Sequence, residues 1–518
     1  MAKESRVKKS LLNARVNLIC YMISLVVAFF TRRVFLEQLG TEFIGLTGTL
    51  QSLLGFLNLA ELGIGGAIGY VLYKPVSEDN HDKINEIISL FGYLYRYIGF
   101  IILGFGIILS LFIPLIFPNT SFSLGVIYFG FYAYLTSSLI GYFVNYRTAL
   151  LGADQRNYIV TGYFQLTTTL KVIIQIILAL VVCNFYLYFA IELIFGIINS
   201  IILNKKINQT YPWLESEIKL GKGLLKKYPD VAKYVKQLFI HKIAGFVQSQ
   251  ISPVFIYSFV SLPMVALYGN YTIITQRVQS LIGSLLGSTS AGIGSLIAEG
   301  DSDKSMKVYA EMFSIQALIA GFIASAIFVL INPFIAVWLG REYPLDMSIV
   351  LLIVLQFFME QLRGTTEQFK FGFGLFADTW APIAEAVIYV ISAAVGGYFL
   401  GLKGVLLGPI VSLLLIVHIW KPYYLFKEGF HKSVVIYIKI FFQHIIPIAI
   451  SFVISYILVG FILPEAYMYS GWGQWILGAC LFSSLMLTLS CILLYVSSSG
   501  MRAFVHRFVK KRQWLNRE

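Results

Sequence analysis

Leu18-Ile19-Cys20-Tyr21-Met22-Ile23-Ser24-Leu25-Val26-Val27-Ala28-Phe29-Phe30 is the first long apolar run of the chain, and it stops at Thr31-Arg32-Arg33. No small-residue cleavage site follows it, so it reads as a membrane helix that stays in place. Runs of this kind recur some fourteen times in 518 residues, with short loops between them. A helix rising ~1.5 Å per residue crosses hydrocarbon in ~20 residues, and only helices or closed barrels satisfy every backbone polar group in lipid. The runs have helical length. With 58% hydrophobic and 13% charged residues, the expected fold class is an all-α polytopic membrane protein.

The expected spans lie near 14–30, 44–72, 88–116, 125–146, 158–181, 186–203, 238–258, 264–297, 309–331, 348–371, 381–400, 404–420, 437–463 and 474–496. An even number puts both termini on one side. Lys and Arg accumulate in short cytoplasmic loops. The N-terminus has Lys3, Arg6, Lys8 and Lys9, the loop after the sixth span has Lys205, Lys206, Lys219, Lys222, Lys226, Lys227, Lys233 and Lys236, and the tail has Arg502, Arg507, Lys510, Lys511 and Arg512. All fall on the same face, against Arg32, Arg33, Arg341 and Lys403 on the other. Both termini are therefore expected in the cytoplasm. The net charge of +13 is met by topology and anionic headgroups, with no nucleic acid required. The four cysteines, Cys20, Cys183, Cys480 and Cys491, show no metal or disulfide spacing and read as packing residues.

A long polar segment near 204–237 divides the chain. Leu62-Gly63-Ile64-Gly65 matches Ala291-Gly292-Ile293-Gly294, Ala153-Asp154 matches Ala377-Asp378, Arg15 matches Lys242, and Ser77-Glu78-Asp79 matches Asp301-Ser302-Asp303, all at an offset of 224 to 229. Four matches at one offset point to an internal repeat of six spans. The expected organisation is an N-terminal lobe over 1–203, a basic linker over 204–237, a C-terminal lobe over 238–426, and two additional helices with a basic tail over 427–518.

A charge inside a span costs roughly 2.5–3.5 kcal/mol on insertion scales and persists where it pairs or lines a wet cavity. Glu360, Arg363, Glu367 and Lys370 recur at spacings of three, four and three, which places them on one helix face. Such a ladder either neutralises itself as scaffold or walls a transport cavity. Arg15, Lys242 and Arg277 have no acid three or four residues away, so they either snorkel to the interface or face a cavity. With Arg96, Lys171 and Arg363 they are the candidate cavity cations. Glu61 is either one half of an ion pair, with Arg96 or Lys171, or a proton or sodium site. Glu360 and Glu367 share the second reading. No metal site is expected, and no cofactor beyond a coupling ion, Na+ or H+. Gly65/Gly69 and Gly283/Gly287 permit close helix approach, and Pro253, Pro409 and Pro447 are kink points.

Enzyme signatures are nearly absent. There is no P-loop, G-x-G-x-x-G or H-E-x-x-H. Asp301-Ser302-Asp303 has the D-x-D form of glycosyltransferases, but it sits in a tight loop where a cap or turn is the better account.

Several strings together resemble the bacterial polysaccharide transporters, the Wzx-type lipid-linked oligosaccharide flippases of the multidrug/oligosaccharidyl-lipid/polysaccharide exporter superfamily. They are Arg33-Val34-Phe35-Leu36 with Leu39-Gly40 and Gly45-Leu46, Leu59-Ala60-Glu61-Leu62-Gly63-Ile64-Gly65 leading to Leu72-Tyr73-Lys74-Pro75, and Tyr268-Gly269-Asn270-Tyr271. Gly374-Leu375-Phe376-Ala377-Asp378 with Ala384-Glu385-Ala386-Val387-Ile388, and Gly404-Val405-Leu406-Leu407-Gly408, complete the set. The resemblance implies two six-helix lobes around a central cavity, two extra C-terminal helices and alternating access. It also implies an undecaprenyl-diphosphate-linked oligosaccharide as substrate, for O-antigen, capsule or exopolysaccharide assembly in the bacterial cytoplasmic membrane. A polysaccharide polymerase and chain-length machinery are the implied partners. By helix position, Arg15 and Arg277 would hold the diphosphate. Arg32 and Arg33 depart from the positive-inside pattern and are candidates for an external gate or for ion pairing. The runners-up are a cation-coupled multidrug exporter of the same superfamily and, less well supported, a membrane polymerase or glycosyltransferase.

Overall fold

The computed structural model describes all residues except 1–5, 58–70, 73–74, 77, 119, 229–246, 248–249, 288–292, 295, 298, 376 and 516–518. It is an all-α polytopic membrane protein. Eleven helical stretches among the described residues are long and apolar enough to cross a membrane. The first of them, Arg15–Leu57, has 43 residues, about twice what one crossing needs. It is part of the helix Arg6–Leu57, which is broken at Gly40, φ 82° and ψ 161°. That left-handed φ suits glycine and turns the helix into two limbs, the expected first span and the start of the second.

The chain divides into two compact units, Met1–Ala266 and Leu267–Glu518. In the first, the limb before Gly40 runs parallel to the helix Asn157–Val181. At one end Asn13 Nδ2 donates to the Gln155 carbonyl at 2.7 Å and the Tyr158 N–H donates to Asn13 Oδ1 at 2.7 Å. At the other end Cys183 Sγ donates to the Gln38 carbonyl at 3.1 Å. Cys183 is thus exposed at a turn rather than a packing residue. The helices His81–Leu111, Leu124–Phe143 and Phe185–Thr210 belong to the same unit. The sixth span therefore runs on to Thr210, past its expected end near 203. Phe43 forms the core, with its ring against Phe122, Phe185, Tyr188 and Phe189.

The second unit holds Ser302–Trp338, Met347–Gly372, Trp380–Leu400, Leu402–Gly429, Val435–Ile462 and Trp472–Ser497, with most of Leu262–Gly287. Asp301 caps its helix by accepting from the Lys304 N–H at 2.9 Å, and Asp303 pairs with Lys432 at 2.5 Å. The D-x-D string is used as a cap and an ion pair. The last two spans pack onto Ser302–Trp338 through Phe313, Ala317, Ile448, Phe482 and Met486, so they belong to the core of this unit. Pro409 and Pro447 both lie inside helices.

Without a hydrophobic drive between helices in lipid, small residues set how closely they pack. Trp380–Leu400 and Leu402–Gly429 meet at Gly396 and Gly404, where a Cβ on Gly404 would lie 1.8 Å from the Gly396 carbonyl oxygen. Gly404→Val should therefore lower stability by roughly 3 kcal/mol through overpacking. Gly460→Ala, at a position with nothing within 4 Å, should leave thermal unfolding in detergent nearly unchanged. Equal melting temperatures for the two variants would contradict this packing.

Candidate functional site

The 3-4-3 spacing brings Glu360, Arg363 and Glu367 to one face of Met347–Gly372. Arg363 Nη1 lies 3.2 Å from Glu360 Oε2, and Arg363 Nε lies 3.2 Å from Glu367 Oε1. Two residues absent from the sequence-based candidates complete the cluster. Glu385, on Trp380–Leu400, approaches Arg363 at 3.7 Å. Lys421, on Leu402–Gly429, contacts Glu367 at 2.8 Å and Glu385 at 3.2 Å. Glu385 and Lys421 are buried, at 3% and 9% side-chain exposure, and the other three are mostly covered.

Lys421 comes from a helix that takes π-helical spacing over Leu413–Trp420 and again over Leu425–Gly429. Such widened turns are rare and frequent at functional sites. Within the widened stretch His418 donates from Nε2 to the Met359 carbonyl at 3.0 Å, a contact in which only the nitrogen can supply the proton. The network thus joins three helices and sets three carboxylates against two cations.

Lys370 does not complete the ladder. It turns to Asp378, with Nζ at 2.5 and 2.6 Å from the two carboxylate oxygens, and both side chains are buried. The Trp420 indole N–H also donates to Asp378 at 3.4 Å. In the first unit the matched residue Asp154 is served in a similar way, by Arg156 at 3.0 Å and by the Tyr211 hydroxyl at 2.9 Å. Each of these aspartates therefore binds one cation and accepts from one aromatic donor later in the chain.

The structure redistributes the candidate cavity cations. Lys171 is held by Glu192, another acid the sequence reading missed, at 2.7 Å, and Gln175 donates to the Tyr188 carbonyl at 3.2 Å beside it. Arg363 is surrounded by carboxylates. A cation already matched in this way is a poor partner for a diphosphate, so neither Lys171 nor Arg363 keeps that role. Nor is Lys171 free to pair with Glu61. Arg96 is exposed and shares its helix face with exposed Tyr97, Phe100, Ile107 and Leu111, a setting for snorkelling. Arg15 is exposed and Arg277 half-buried. Arg33 forms an exposed pair with Glu37 at 2.8 Å, and Arg32 donates to the Ala266 carbonyl at 2.7 Å. Glu61 and Lys242 lie outside the described residues. Among the described residues no group of three His, Cys, Asp or Glu side chains could hold a metal ion.

Removing one partner of a buried pair leaves an uncompensated charge, at about 3–5 kcal/mol. Lys370→Met should therefore destabilise the protein by about that much, while Lys370→Met with Asp378→Leu should recover most of it. Thermal unfolding of the purified variants checks this. A double variant no better than the single one would rule out pairing as the cause.

No protein-family model and no curated protein sequence matches the chain. Solved structures do. A structure described as "Lipid II flippase MurJ, inward closed conformation" aligns with a TM-score of 0.60 at 15% identity, over 92% of this chain and 98% of that one. An inward-facing multidrug resistance transporter of the MATE family, of the MOP superfamily, gives 0.60 at 14% identity, over 82% and 99%. A MOP superfamily transporter from Pyrococcus furiosus gives 0.50 at 14%, over 82% and 97%. The chain has the fold that these membrane transporters share.

Proposed function

We propose that this protein is a flippase that turns an undecaprenyl-diphosphate-linked oligosaccharide across the bacterial cytoplasmic membrane by alternating access, with both termini in the cytoplasm. The observation that carries the reading is the extent of the match. The multidrug transporter covers 82% of this chain, leaving a share the size of the two additional C-terminal helices, whereas the lipid II flippase covers 92%. Arg15, Arg277 and Lys242 supply charge for the diphosphate, since phosphate oxygens take charge-assisted bonds from such side chains. The turned-over units would pass to a polymerase and chain-length machinery outside. A deletion strain should strand lipid-linked oligosaccharide at the cytoplasmic face while its synthesis continues, as probing the sidedness of the extracted lipid-linked pool would reveal. Precursor that still reached the outer face would overturn the reading.

The carboxylate surplus of the helix 347–372 network favours a coupling ion, H+ or Na+, at Glu360 and Glu367, with Glu61 as a further candidate. Glu360→Gln should keep the protein folded and inserted but slow transport several-fold and flatten its response to the pH or sodium gradient. An unaltered ion response with lower thermal stability would assign Glu360 to scaffold. The same surplus favours a second reading, a cation-coupled multidrug exporter. Under it, the deletion would change resistance to cationic drugs and leave the glycan precursor correctly sided.

A further inference from the structure

The polar stretch after Phe185–Thr210 is fixed to the first unit from residue 211 to residue 228. The Tyr211 hydroxyl donates to Asp154 at 2.9 Å, the Glu215 N–H to Asn85 at 3.1 Å and the Glu217 N–H to Ser89 Oγ at 2.9 Å. Lys227 and Tyr228 both bond the Glu86 carboxylate, at 2.7 Å each. Partial burial and the bond to Glu86 push the Tyr228 hydroxyl up to about 12, so it stays a donor at physiological pH. Trp213 stacks on His81 with ring centroids 3.7 Å apart. At Gly221, the start of the short helix Gly221–Lys227, a Cβ would fall 2.1 Å from Tyr93 Cβ, so backbone and helix touch directly.

What this segment presents outward does not match what it buries. Leu224 faces the protein, while Lys219, Lys222 and Lys226 are exposed and Leu220, among them, is 55% exposed. The exposed Glu215 and Glu217 precede this group and leave cations in excess. Its level along helix 81–111 is set by its contacts at Gly92 and Tyr93. Four residues further on, ~6 Å at the helical rise, the exposed apolar belt of Tyr97, Phe100, Phe105, Ile108 and Leu111 begins. Exposed Arg96 stands at its edge. An apolar side chain among lysines at the rim of a lipid-facing belt has the chemistry of an interfacial anchor.

We propose that residues 218–228 form a foot that binds the headgroups of anionic phospholipids. Lys219, Lys222, Lys226 and Arg96 supply the charge, and Leu220 reaches into the acyl boundary. The assignment rests on the cytoplasmic placement proposed above, because that leaflet carries the anionic lipid. A polar linker would otherwise leave Leu220 in water and its neighbouring lysines without counter-charge.

The test uses the full-length protein in nanodiscs of phosphatidylglycerol or of phosphatidylcholine, and measures tryptic cleavage after Lys219, Lys222 and Lys226 relative to exposed Lys427. A lysine near an anionic surface gains about 1 kcal/mol, about fivefold. Cleavage at the foot should therefore be at least fivefold slower in the anionic discs, and high salt should remove the difference. Leu220→Gln, which keeps every lysine, should lose much of the protection. Equal relative rates in the two lipids overturn the proposal, as does equal protection in detergent without lipid, which would mean that the protein itself shields the segment. Topology is read separately, by impermeant labelling of Lys222→Cys in intact cells after replacement of the four native cysteines. The disc result does not depend on which side the segment faces.

Discussion

A charge in hydrocarbon has to find a charge of the other sign, and here it does so mainly between helices. Arg363 answers Glu360 and Glu367 on its own helix, but Glu385 and Lys421 come from two others. Lys171 and Glu192 join two helices of the first unit in the same way. Each pair contributes little net stability against an apolar replacement, but leaving one member alone is expensive. The pairs therefore select which helix faces meet, and close contacts such as Gly396 with Gly404 fix how near they come.

That division explains what the sequence could and could not disclose. Apolar run length is a local property, so the presence of the described spans was legible while their ends were not, as Phe185–Thr210 and Ser302–Trp338 show by running past the expected limits; the caps at Asp301 and Asn80 follow from local chemistry. The break at Gly40 was visible only as a glycine between two runs, since nothing nearby states its φ. Ion pairing between helices is not local. The 3-4-3 ladder suggested four residues neutralising one another, yet Lys370 prefers Asp378 eight positions on. Its place is taken by Lys421, separated from Glu367 by 54 residues. Glu192 and Glu385 went unflagged because each is a single acid in an apolar run, with its partner on another helix. Glu385 did carry one usable signal, its place in Ala384-Glu385-Ala386, one of the strings behind the family resemblance.

The expected repeat, at its one pair of aspartates, is a likeness of chemistry more than of identity. Asp154 and Asp378 sit after alanine at corresponding turns, yet one takes Arg156 and a tyrosine hydroxyl while the other takes Lys370 and an indole. What the two sites share is a carboxylate at a turn held by one cation and one aromatic donor, a demand that several residue types can meet.

The same pairing changes how an anionic substrate has to be argued for. The sequence offers six candidate cavity cations, Arg15, Arg96, Lys171, Lys242, Arg277 and Arg363, against the carboxylates Glu61, Glu360 and Glu367, an excess that suits the diphosphate the family resemblance implies. Glu192 and Glu385 remove Lys171 and Arg363 from the excess, and the cluster on helices 347–372, 380–400 and 402–429 ends one carboxylate ahead. The proposed phosphate contacts then rest on Arg15, Arg277 and Lys242, and the proposed coupling ion on the surplus acid of this cluster. A flippase of an anionic lipid that runs on an ion gradient needs both kinds of group. A carrier of cationic drugs would need only the acid.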